Sequence, residues 1–172
     1  MDQESGNRQA VEPESFVAGY HLVDIKKGQL GELSKVQEEL DELTDAFEQR
    51  SNILMAVEAA DLYGAVAFFL EKHLPELSLD SARWLYTISG PGEGTSSIGE
   101  LSRIQQELTE LSEVSNALQQ EPCVRRILMG LKAADLLGAL DQFLKKHLPG
   151  VSMTDLRHFS SITSRAFQNG QR

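Results

Sequence analysis

Glu58 and Asp61 stand three residues apart inside NILMAVEAADLYGAVAFFL (Asn52 to Leu70), a stretch otherwise apolar or glycine after its first residue. On a helix that spacing puts both carboxylates on one face. A helix this apolar buries most of its surface, and an ionised carboxylate buried with it is costly unless positive charge meets it. Glu39 and Glu42 show the same spacing in QEELDEL, which also carries Glu38 and Asp41. Taken alone, QEELDEL reads as a solvated acidic face. Glu58 and Asp61 change that reading, because two packed helices of a hairpin can bring both pairs to one point. Carboxylates gathered there cannot all ionise without a counter-charge. A hard divalent cation satisfies them through oxygen, and Mg²⁺, with Mn²⁺ as its substitute, is the usual choice where a phosphate completes the shell.

The elements that must position these acids occur twice. GELSKVQEELDEL (Gly31 to Leu43) matches GELSRIQQELTEL (Gly99 to Leu111), and AADLYGAVAFFLEKHLP (Ala59 to Pro75) matches AADLLGALDQFLKKHLP (Ala133 to Pro149) at most positions. ELSLDSARWLYTIS then parallels GVSMTDLRHFSSIT. Such self-similarity marks a tandem duplication. In the first copy Leu30, Leu33, Val36, Leu40, Leu43 and Phe47 recur at spacings of three and four, the stripe of an amphipathic helix. Ser51 is the expected N-cap of a second helix, which ends with Lys72, His73 and Pro75. A shorter third helix is expected after Ser78, and its counterpart after Ser152, where Ser152 and Asp155 have capping-box spacing. No run alternates as a strand does. The fold class is therefore all-α: a tandem-repeat helical bundle of two αα-hairpins with short third helices. One hairpin cannot bury its apolar faces alone, so either the two copies close into a pseudo-symmetric bundle or two chains pair as a homodimer.

The expected divisions are an acidic, disordered arm over 1–15, the first repeat over 16–88, a Gly/Pro/Ser linker over 89–97 and the second repeat over 98–172. The 172 residues carry 26 acidic against 16 Lys and Arg side chains, a net charge of -10. So negative a chain repels phosphate backbones and anionic lipid, which argues against nucleic-acid and membrane partners. A local metal site can still reverse the field for one small polyphosphate. Cys123 is the sole cysteine, so no intrachain disulfide forms, and a cytoplasmic, reducing location fits. The opening residues lack the apolar core of a signal peptide, and no apolar stretch combines spanning length with freedom from charge.

Glu38-Glu39-Leu40-Asp41-Glu42 followed by Glu58-Ala59-Ala60-Asp61 resembles the E-E-x-x-E…E-x-x-D signature of the MazG-like, all-α nucleoside triphosphate pyrophosphohydrolases. GELSKVQEELDEL and the closing TSRAFQNGQR are similar to segments of the small phage-type members, and over both copies the likeness covers most of the chain beyond the acidic arm. The resemblance implies hydrolysis of a (deoxy)nucleoside triphosphate between the α- and β-phosphates, in the cytoplasm of a cell or of a phage host. It implies Glu39, Glu42, Glu58 and Asp61 as Mg²⁺ ligands, and Glu38 as a further ligand or as the residue orienting water.

The copies part company at these positions. In the second, Gln106 stands for Glu38 and Lys132 for Glu58, while Glu107, Glu110 and Asp135 remain. The Lys132 ammonium can pair with the retained acids and repel a cation, so the second metal site reads as dead. The first copy lacks the basic tail of the second: Arg165, Asn169 and Arg172 have no counterparts before the linker. A guanidinium there suits substrate phosphate and Asn169 suits a base or sugar; a frayed basic end is the plain alternative. One composite site is expected, with first-copy acids holding Mg²⁺ and the second-copy tail closing over the nucleotide. The alternatives are a non-catalytic, nucleotide-binding or sequestering protein of the same fold, and a helical scaffold with decorative acids. His21, His73, His147 and His158 show no metal spacing and read as helix-end or surface residues; Trp84 and Tyr86 read as packing residues.

Overall fold

The computed structural model describes residues 21–89 and 99–168, without the side chains of 83, 86–89 and 163–168. The acidic arm, Asn169, Arg172 and, apart from Ser89, the linker expected over 89–97 lie outside the described residues, and Ser89 ends the third helix instead. Six α-helices follow in order: α1 (Leu33–Glu48), α2 (Asn52–His73), α3 (Leu79–Ser89), α4 (Glu100–Asn116), α5 (Pro122–His147) and α6 (Met153–Gln168). The described residues contain no strand, and the fold is all-α.

Local chemistry sets the helix ends. Arg50 turns the chain between α1 and α2 in the left-handed region (φ 56°), and Ser51 caps α2 by accepting from the Leu54 amide. Pro122 opens α5, where a missing N–H costs nothing, and Glu121 caps it through the Val124 amide. Ser152 and Asp155 bond reciprocally at the start of α6, as their spacing predicts. Leu30, expected in the first apolar stripe, instead lies before α1 and is exposed. The reason is Gly31, which adopts φ 79° and breaks the helix on that side. Trp84, expected to pack, is exposed as well, and α6 is longer than the short third helix the sequence suggests.

Consecutive helices pair as α1 with α2 and α4 with α5, and α2 also packs on α5. The third helices cross over: α3 packs on α5, and α6 packs on α2. Gln37 and Gln105, at matching positions of the two copies, exchange a pair of side-chain amide hydrogen bonds between α1 and α4 at 2.9 and 3.0 Å. A residue bonded to its own counterpart is the mark of a two-fold relation. The core runs through all of this, with Leu40, Tyr63, Phe69, Leu136 and Phe143 among its largest fully buried side chains. By length and hydropathy (1.8) α2 could cross a membrane, yet α1, α5 and α6 bury much of it, as befits a core helix.

Candidate metal centre

The facing sides of α1 and α2 hold the first-copy acids. Glu38, Glu39 and Glu42 are buried on α1, and Glu58 on α2 is fully so (0% exposed). Asp61 is half-buried. One carboxylate oxygen from each of Glu39, Glu58 and Asp61 can be chosen so that all lie within 4.8 Å of one another, and the same holds for Glu38, Glu39 and Glu42. The shared members join all five acids named from the sequence into one continuous group.

Positive groups lean on this cluster, and the sequence reading did not anticipate them. Residues 21–29, which form no helix, run antiparallel to α1. At their start His21 Nδ1 lies 3.2 Å from Asp45 Oδ2, and the Leu22 amide donates to the same oxygen. Farther along, Lys27 Nζ sits 2.9 Å from Glu38 and 2.8 Å from Glu42, and the Gly28 amide donates to Glu38 Oε2 at 2.6 Å. From α1 itself, Lys35 Nζ reaches Glu38 at 2.9 Å and Glu39 at 2.6 Å. His21, expected at a surface, is in fact the exception among the histidines: a ring nitrogen comes within 4.8 Å of Glu42 and Glu58 oxygens. His73 and His147 do close helix ends, the first against Gly31 and Glu32, the second against Glu100.

Burial drives the Glu39 pKa up to about 8; nearby Glu42 and Asp61 add to the rise and Lys35 opposes it. Burial raises Glu38 too, but the Lys35, Gly28 and Lys27 hydrogen bonds outweigh it and hold the carboxyl below its usual range. Hydrogen bonding to Glu42 pushes the Lys27 ammonium up against the opposing cost of burial. Glu39 Oε2 is buried with no hydrogen-bond partner among the described residues. A donor set dominated by carboxylates, with an orphaned carboxylate oxygen and excess negative charge, fits a hard divalent cation; Glu39, Glu42, Glu58 and Asp61 are the residues that would hold it, with the His21 ring beside Glu42 and Glu58.

The second copy is built differently. Lys132 Nζ lies 2.5 Å from Glu110, 3.5 Å from Asp135 and 4.0 Å from Glu107. Gln106, in the place of Glu38, donates to Glu110. The Lys132 hydrogen bond, with that from Gln106, holds Glu110 below the usual carboxylate range, and Glu110 in turn raises Lys132. The helix thus carries its own cation where α2 carries Glu58. Burial raises Glu107, with Asp135 and Glu110 adding to the shift.

Comparison with protein-family models, with curated proteins and with solved structures finds no match to this chain. The site therefore speaks through its own geometry. Of the expected tail residues, Arg165 belongs to α6, which packs on α2; Asn169 and Arg172 lie outside the described residues. An apolar groove of about 610 Å³ opens between α2 and α6, lined by Ile53, Val57, Leu148, Phe159 and Ile162 with Asn52 at its edge.

Proposed function

We propose that the chain is a MazG-like, Mg²⁺-dependent nucleoside triphosphate pyrophosphohydrolase with one composite active site. The observation that carries the reading is the convergence of the buried Glu38, Glu39 and Glu42 on α1 with the buried Glu58 and the half-buried Asp61 on α2 in one carboxylate cluster, with the His21 ring at its edge. When bound there, Mg²⁺ supplies charge to polarise phosphoryl oxygens and to favour attack by water. Glu39, Glu42, Glu58 and Asp61 hold the cation, and Glu38 orients the attacking water toward the α-phosphate. The bond between the α- and β-phosphates breaks, giving a nucleoside monophosphate and pyrophosphate. Substrate contacts are assigned to the second copy's tail, Arg165 and Arg172 to phosphate and Asn169 to sugar or base. Support for that division of labour is that α6 packs on α2, through the face with Ile53, Val57 and Gly64, while Glu58 and Asp61 of the same helix face α1.

A second reading has its own support. Lys27 and Lys35 already neutralise part of the cluster, as a nucleotide-sequestering protein of this fold, with no turnover, could use them. Pyrophosphate release from a panel of ribo- and deoxynucleoside triphosphates, with Mg²⁺ and with EDTA, decides between the two. Mg²⁺-dependent release supports the enzyme, whereas nucleotide binding without release supports sequestration.

A further inference from the structure

The two acid clusters are neutralised by lysines of different kinds. In the second copy Lys132 is part of α5 and remains beside its acids as long as the hairpin holds. In the first, Lys27 arrives on residues 21–29, a segment with no helical hydrogen bonds of its own. Its side chain is 73% exposed although its Nζ rests on the buried Glu38 and Glu42. Most contacts tying the segment to α1 end on the acids themselves: His21 and the Leu22 amide on Asp45, Lys27 on Glu42 and Glu38, and the Gly28 amide on Glu38; at its far end the Gln29 amide donates to Ser34 Oγ. Gly28 is seated so closely that a Cβ there would lie 2.2 Å from the Ser34 carbonyl oxygen. Next to Glu38 on α1, Glu39 Oε2 is buried and without a hydrogen-bond partner among the described residues.

We infer that residues 21–29 are a strap over the metal centre, with Lys27 as an exchangeable counter-ion that a divalent cation displaces. This rests on the reading of the acid cluster as a metal centre. The ammonium and the cation share Glu42, and two positive charges a few ångströms apart on one carboxylate repel strongly in a poorly solvated site. Once Lys27 leaves, the segment loses its central attachment while α1 and α2 keep their core. The released ammonium stands at the rim of the site, placed for an anionic phosphate. Lys132 has no such freedom, so the second copy has only a helix-borne cation on its acids, whereas the first adds to the helix-borne Lys35 a removable one, Lys27.

The test is Mn²⁺ binding to the full chain by isothermal titration calorimetry, joined to hydrogen–deuterium exchange over residues 21–29. Lys27→Met removes the competing charge from an exposed position, and Gly28→Ala unseats the segment with Lys27 kept. Each is expected to tighten Mn²⁺ binding about tenfold, whereas Lys26→Met, the same charge change next door on an exposed residue, is expected to change it less than about twofold. In the unmodified chain Mn²⁺ should speed exchange at the Leu22 and Gly28 amides. Mn²⁺ binding that is equally tight in the parent chain, Lys27→Met and Gly28→Ala overturns the strap and leaves the metal centre standing, as does slower exchange over 21–29 with Mn²⁺. No Mn²⁺ binding by any of these proteins overturns both.

Discussion

Glu39 bears an electrostatic cost at the first-copy site, and that cost has a pH signature. Its folded-state pKa of about 8 lies above the ordinary 4.5, chiefly because it is buried. The metal-free fold therefore binds more protons than the unfolded chain between those values. Its contribution to stability is fully present below about pH 4.5 and is lost as the pH rises toward 8. Melting curves in EDTA should fall across this window, and Mg²⁺ should restore stability at its upper end; Glu39→Gln should flatten the slope. At the same scale, Glu58→Gln and Asp61→Asn should each lower pyrophosphate release by roughly a hundredfold or more while raising the melting temperature of the metal-free protein. Undiminished turnover in both variants would remove these residues from the metal centre. Part of the missed detail was available in the spacing. Lys35 stands three and four residues before Glu38 and Glu39, and Asp45 continues the Glu38–Glu42 face by three. His21 and Lys27 offered no such signal, because a segment without periodicity does not reveal which helix it crosses.

Each αα-hairpin holds its acids by packing one acidic helix on one apolar helix, and a single lysine decides what the second can do. Lys132→Glu restores the residue type of Glu58 but removes the ammonium from Glu107, Glu110 and Asp135 and adds a fourth negative charge. It is expected to lower the stability of the metal-free protein by about 1–3 kcal/mol and to create no second site of matching activity, since Gln106 still replaces Glu38. Calorimetry for Mg²⁺ stoichiometry and a pyrophosphate assay check this, and doubled stoichiometry with doubled turnover would contradict it. The α2–α6 contact makes a separate demand on α2. A Cβ on Gly64 would lie 2.4 Å from Ser160 Oγ, so Gly64→Ala must push the helices apart or turn the serine. A loss of about 1–3 kcal/mol in denaturant unfolding is expected.

At the scale of the whole molecule, the crossing of the third helices binds the copies into one unit. With α3 on α5, α6 on α2 and α2 on α5, neither hairpin completes its core from its own copy. Heat should therefore unfold the chain in one calorimetric transition, and two separated transitions would show the copies to be independent. The same crossing bears on the composite site, because it sets the C-terminal helix against the helix with the intact acids. Deleting the chain from Arg165 onward should leave Mg²⁺ binding nearly unchanged and cut kcat/KM roughly tenfold to a hundredfold, the worth of one charged hydrogen bond to phosphate. Equal turnover by the truncated and full chains would return Arg165, Asn169 and Arg172 to a frayed end.

The all-α class, the duplication and the five first-copy acids were legible because each rests on local periodicity: apolar stripes at helical spacing, repeated strings, carboxylates three apart. The pairing of Lys132 with the second-copy acids was legible for the same reason, being partly an i, i+3 relation within one helix. Which helix each third helix would choose was not, since either central helix offers it an apolar face. The course of residues 21–29 was not legible either, because it is fixed by single hydrogen bonds to distant acids and by the close seat of Gly28 against Ser34. Local pattern determined which residues are acidic, apolar and helical. Only the tertiary structure decided which positive charge answers each buried carboxylate, because that depends on distances between segments that sequence spacing does not encode.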